Sequence, residues 1–180
     1  MLTFEKVLSF VVLLSATITT TVLAKEQDPS CPGSPAWKNA KCKMSIDFKE
    51  PCHIVQSEIN LRLTSESFVD PHNGGKYSQI SSQEGAVKGS RLTANGKWTD
   101  LLDFSFISTN EGSTCTVTAC SESQVFSILD FSTNYCNLRN LYCNSSDGCS
   151  PVQYDLTYEE SYVSCGQNKK QNCIVKVSSS

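Results

Sequence analysis

Histidine is scarce in this 180-residue chain, with only His53 and His72 present. Two imidazoles are too few for a zinc site, and cysteines in an oxidising compartment are spent on one another. Basic residues are scattered, Lys169-Lys170 being the one adjacent pair, and the formal charge is only −3. Without a basic stripe interleaved with aromatics, the chain has no nucleic-acid footprint. Extended acidic runs and internal repeats are missing too. After the N-terminus no apolar stretch approaches the ~20 residues of a membrane span. A Gly-x-Ser-x-Gly elbow, which exposes a nucleophile on a tight turn, is also absent. Ser121 and Ser123 lie instead in Ala-Cys-Ser-Glu-Ser-Gln-Val, with no glycine.

Cysteine, by contrast, is abundant. Cys31, Cys42, Cys52, Cys115, Cys120, Cys136, Cys143, Cys149, Cys165 and Cys173 all follow Ala24. Residues 1–24 read as a signal peptide, with Lys6, an apolar run over 7–15, and small residues at Val22 and Ala24. The expectation is a secreted, extracellular chain with five disulfides and no cofactor. Residues 25–40, broken by Pro29, Pro32 and Pro35, form an N-terminal arm that Cys31 ties to the body. Residues 41–180 form one disulfide-rich α+β domain. On one strand, Cys115 and Cys120 would be ~17 Å apart on opposite faces. Cys136 and Cys143 on one helix would be ~10 Å apart. The cysteines of 119–149 are therefore expected to reach other elements. Cys165 and Cys173 flank the polar loop 166–172 and are expected to pair with each other.

Periodicity supplies the elements. Cys42, Met44, Ile46 and Phe48 alternate with Lys43, Ser45 and Asp47, the mark of a half-buried strand. Cys52, Val55, Ile59 and Leu63 share one face of a helix predicted over 51–64, with Gln56, Glu58, Asn60 and Arg62 largely opposite. Strands are predicted at 76–81 and 87–93, with Asn95-Gly96 as a hairpin signal. Trp98, Leu102, Phe104 and Phe106 then line one strand face, Asp100 being the exception, and Cys115, Val117 and Ala119 mark the next strand. Leu138, Leu141 and Tyr142 suit a short helix, and 152–163 reads as strand. The order predicts one main helix on a curled antiparallel sheet, a cystatin-like or helix-grip-like layout that carries no function with it.

Candidate chemistry is sparse. Ser121, Ser123, Asp130 and Asn134 are expected to shape turns, and His72 is expected to stay clear of that stretch. Asn144-Ser145-Ser146 is the one N-glycosylation sequon. The adjoining 144–148 stretch lacks the alternating acids and distal glutamate of a calcium loop, so no metal is expected.

The strings SCPGSPAWKNAKC (30–42), VDPHNGGKYS (69–78) and ACSESQVFSILDFSTNYCNLRNLYC (119–143) resemble an uncharacterised family of small secreted cysteine-rich proteins of diatoms and other algae. Ser121, Ser123, Asp130 and Asn134 are fainter in their likeness to a serine/aspartate/asparagine signature of another uncharacterised bacterial and algal family. The first resemblance implies secretion and no particular activity. The leading functional expectation is a non-catalytic extracellular binding or interaction module. Its partner would be a small apolar ligand or an extracellular protein, with Trp98, Leu102, Phe104, Phe106, Tyr77 and His72 as binding candidates. One alternative is a hydrolase-type enzyme with His72 and Asp70 facing Ser121 to Asp130. Another is an inhibitor or effector acting through an exposed loop at 69–76.

Overall fold

The computed structural model describes residues 30–174. The segment read as a signal peptide and the first residues of the arm lie outside them. Strand β1 (Lys41–Phe48) leads into helix α1 (Cys52–Thr64). A meander follows: β2 (Lys76–Gln83), β3 (Ala86–Leu92), β4 (Thr99–Thr109) and β5 (Thr114–Ser123). Helix α2 (Thr133–Arg139) and strand β6 (Tyr158–Cys165) come last. The strands form one antiparallel sheet in the order β2-β3-β4-β5-β1-β6. Among the described residues the protein is α+β, with two α-helices.

β1 lies between β5 and β6, and its Cys42, Met44, Ile46 and Phe48 are all buried. Val55, Ile59 and Leu63 of α1 join them in one core with Val87, Leu102, Phe104 and Val117. The helix packs tightly at Gly89 of β3, where an added Cβ would lie 2.8 Å from Leu63 Cδ2.

Three expectations need correction here. Glu58 and Arg62, placed on the polar side of α1, are fully buried. The chain after α2 covers them and supplies their partners. Glu58 accepts from Arg62 Nε (2.8 Å), Tyr154 N (2.8 Å) and Gln153 N (3.2 Å), and Arg62 donates to Asn140 O (2.9 Å) and Cys143 O (2.8 Å). Burial lowers the Arg62 pKa, with Glu58 opposing it. Trp98, assigned to the inner row of β4, precedes that strand and is half exposed. In the 93–98 turn only Gly96 has positive φ, at 69°, and its N–H bonds Thr93 O. The connection is thus a longer turn with a left-handed glycine, not a two-residue hairpin with both central residues left-handed.

All ten cysteines are paired: Cys31–Cys120, Cys42–Cys165, Cys52–Cys115, Cys136–Cys173 and Cys143–Cys149. Cys165 and Cys173 do not bond each other. β6 runs beside β1, placing Cys165 directly opposite Cys42, while Cys173 returns to α2. One bridge, Cys143–Cys149, closes within the 119–149 stretch, so not every cysteine there reaches elsewhere. Cys31 fastens the arm across the outer face of β5, where Gly33 N and Asn39 Nδ2 bond the carboxylate of Glu122.

Candidate binding pocket

Along β5 the inner row starts apolar, with Cys115, Val117 and Ala119, and turns polar at Ser121 and Ser123. Register aligns this polar end with its neighbours: Ser123 faces Asp100 of β4, Asp100 faces Arg91 of β3, and Arg91 faces Tyr77 of β2. A polar row therefore crosses four strands at one end of the sheet. Asn134 and Asn137, three apart on α2, reach down onto it.

These side chains close a ring of hydrogen bonds. Ser123 Oγ donates to Asp100 Oδ1 (2.7 Å), and Asn134 Nδ2 donates to Ser123 Oγ (3.1 Å). Ser121 Oγ donates to Asn134 Oδ1 (2.7 Å). Asn137 Nδ2 donates to both Ser121 Oγ (3.1 Å) and Asp100 Oδ2 (2.8 Å). Donors thus run toward the carboxylate, which fixes how both amides are oriented. The expectation that Ser121, Ser123, Asp130 and Asn134 shape turns fails for three of the four. Both serines lie in β5 and Asn134 lies in α2, all buried because the helix covers that end of the sheet.

Beside the ring, Arg91 is wholly buried between Asp70 (2.8 Å) and Asp100 (3.5 Å). Asp70 also accepts from Asn140 Nδ2 (2.9 Å) and the His72 N–H (3.0 Å). Gly75 is required here, since a Cβ would stand 2.6 Å from the guanidinium. Burial raises the Tyr77 pKa, Asp70 adding to it, and the phenol donates to Asn137 O (3.2 Å).

Above the ring opens a pocket of about 340 Å³. Its floor includes Asp100, Ser123 and Asp130, and its rim includes Trp98, Phe126, Leu129 and Phe131. The rim is held by strained backbone. Phe131 and Ser132 take φ of 51° and 70°, the left-handed region that non-glycine residues avoid. Asp130 pins the turn, its backbone O accepting from Thr133 N and its Oδ2 from Asn134 N. The Phe131 ring is left 68% exposed and Leu129 66%. Trp37 of the arm, 85% exposed, stacks on Phe126 at 5.3 Å. Six of the largest exposed apolar side chains, Trp37, Trp98, Phe126, Ile128, Leu129 and Phe131, thus belong to one end of the sheet.

Of the residues expected to bind, only Trp98 lines this pocket. Tyr77, Leu102, Phe104 and Phe106 are buried in the core. His72 does fold against the 119–149 stretch, contrary to expectation: Nε2 lies 3.4 Å from Thr133 Oγ1. The reason is a tether, since Nδ1 donates to Asn172 O (2.6 Å) in the turn that Cys173 fastens to α2. His72 lines a second, wider depression of about 880 Å³ with Arg139, Asp147 and Lys170. Behind it Tyr135 and Tyr142 donate to Glu160 (2.8 and 3.1 Å). Arg91, Asn137, Phe126 and Phe131 went unremarked in the sequence. Asp100, an acid in the buried phase of a strand, signalled the ring, beside the faint likeness that grouped Ser121, Ser123 and Asn134.

No family model matches the chain, and no curated protein sequence matches it. Among the described residues no group of three or more His, Cys, Asp or Glu side chains is disposed to hold a metal ion. No helix there is long and apolar enough to cross a membrane.

Proposed function

We propose that the chain is a secreted, non-catalytic binding module whose site is the pocket between Trp98, Phe126 and Phe131. The observation that carries this reading is the coincidence of exposed aromatic side chains with a rigid, hydrogen-bonded polar floor. Pockets that hold small ligands combine an apolar lining with a few fixed polar groups.

The hydrolase alternative finds less support. Both serine hydroxyls donate within the ring, and the His72 imidazole engages Asn172 O and Thr133 instead. General-base chemistry needs the imidazole within hydrogen-bond reach of the hydroxyl. An inhibitory loop at 69–76 is likewise disfavoured, since Asp70, His72 and Asn73 are all tied down onto neighbouring segments.

Five disulfides fit an extracellular protein. The signal peptide and kinship with the algal secreted family belong to this proposal. So does a helix-grip-like layout, which the pairing of β1 with the last strand of the meander supports. A glycan at Asn144 is part of the proposal as well. Its Nδ2 donates to Leu156 O (3.1 Å) in the folded chain, so attachment would have to precede closure of that turn.

Native mass spectrometry of the secreted protein tests the site. A bound small molecule is expected on the wild type and not on Trp98→Ala. An adduct held equally by Trp98→Ala and Phe131→Ala would place the site elsewhere.

A further inference from the structure

We infer that the pocket takes a neutral sugar ring, the aromatic rim meeting its C–H face and the unspent polar groups of the lining its hydroxyls. This rests on the binding-module reading and names its ligand class. Three observations lead to it.

First, the pocket lining is not wholly apolar. Asp130 spends only Oδ2, on Asn134, and Asn73 accepts from Arg91 through Oδ1. That leaves Asp130 Oδ1, Asn73 Nδ2 and the Ser127 hydroxyl without a hydrogen bond among the described residues, all on residues lining the pocket. A wholly apolar ligand would strip water from these groups and return nothing, at about 1–3 kcal/mol for each. The small apolar ligand expected from sequence is therefore replaced by an amphipathic one.

Second, the charge around the pocket selects against anions. Its lining holds two carboxylates, Asp100 and Asp130, and no lysine or arginine. Arg91 lies beneath and is already committed to Asp70 and Asp100. Sulfated or uronic-acid sugars would meet like charge. A simple cation would suit Asp130, but it would leave the Asn73 amide donors, also in the lining, without an acceptor.

Third, the unspent set has the right chemistry. It contains an acceptor-only carboxylate oxygen, a donor-only amide nitrogen and a hydroxyl that serves either way. Sugar hydroxyls both donate and accept, so all three are satisfied at once. The pyranose C–H face needs only a flat apolar partner, which the Trp98 indole and Phe131 ring supply. Their low side-chain entropy limits what ordering costs on binding.

The test is an array of neutral, sulfated and uronic-acid oligosaccharides probed with the intact secreted protein, followed by calorimetry on the best neutral hit. Binding to neutral glycans is expected, with sulfated and uronic-acid glycans at least tenfold weaker. Trp98→Ala and Asp130→Asn should each weaken the neutral hit tenfold or more, with the five disulfides intact by mass. Asp130→Asn keeps an acceptor for the α2 amide. Should it still fail to fold, Ser127→Ala reports on the polar side, with a smaller loss. Acidic glycans binding as well as neutral ones, or no neutral glycan binding at millimolar concentration, would overturn the sugar assignment. If a retained non-sugar ligand is then lost from Trp98→Ala, the pocket stands and only the ligand class is wrong. If no ligand depends on Trp98, both readings fall.

Discussion

Arg91 has two carboxylates to neutralise, Asp70 and Asp100, and none of the three groups reaches water to any extent. Removing one partner of such a cluster leaves the other charges buried and unpaired, at about 3–5 kcal/mol. Arg91→Met should therefore lower stability by that order in urea titrations. Lys88→Met, which breaks an exposed pair with Asp103, should cost no more than about 1 kcal/mol. Equal shifts for the two would contradict the geometry at Arg91. Part of this was readable from the chain alone. Asp100 broke the apolar alternation of its strand at an inward position, and that break marks the ring. Its partners were not readable, because Arg91 meets Asp70 only after the 69–76 loop folds back, and Ser121 meets Asn134 only when α2 is docked. Buried polar pairs leave no period in a sequence.

At the scale of elements, α1 illustrates what periodicity can and cannot deliver. Its apolar face over Val55, Ile59 and Leu63 was legible because sheet and solvent differ sharply there. α2 offered little such contrast, since every residue from Asn134 to Arg139 is buried, three of them polar. The helix seats itself on β5 through asparagines, and the code for that is hydrogen bonding, not hydropathy. The contact between α1 and β3 is tight enough to test with one methyl group. Gly89→Ala would drive a Cβ to 2.8 Å from Leu63 Cδ2, so the buried Leu63 side chain, the helix or the strand must shift. A loss of about 1–3 kcal/mol is expected from such overpacking, read as a lower thermal midpoint. Leu63→Ala in the same chain should recover part of it by making room. Two losses that simply add would argue against direct contact.

The whole molecule should be sensitive to alkali. Tyr77, Tyr135 and Tyr142 are buried and Tyr158 is half-buried, and burial raises all four pKa values. Glu160 adds to the shift at Tyr135 and Tyr142, as does Asp147 at Tyr158. An unfolded tyrosine ionises near pH ~10. Above that pH the unfolded chain releases protons that the folded one keeps, so stability, intact below pH ~10, falls as pH rises further. Phenolate absorbance from these four should appear together with unfolding and not before it; a smooth titration of every tyrosine in the folded protein near pH 10 would rule this out. The disulfide map bears on how the molecule is made. Only Cys143–Cys149 joins neighbours in sequence, while Cys31, Cys42 and Cys52 await partners at 120, 165 and 115. On the proposed secretory route, the chain exposes three thiols long before any rightful partner arrives. Cys42 waits longest, until 123 further residues have emerged. Premature pairing among these three is the expected error, and thiol exchange must undo any pair that holds Cys42 before its bridge to Cys165 of β6 can form. Yield of the native protein should consequently follow the supply of a disulfide-reshuffling catalyst more closely than the supply of oxidant.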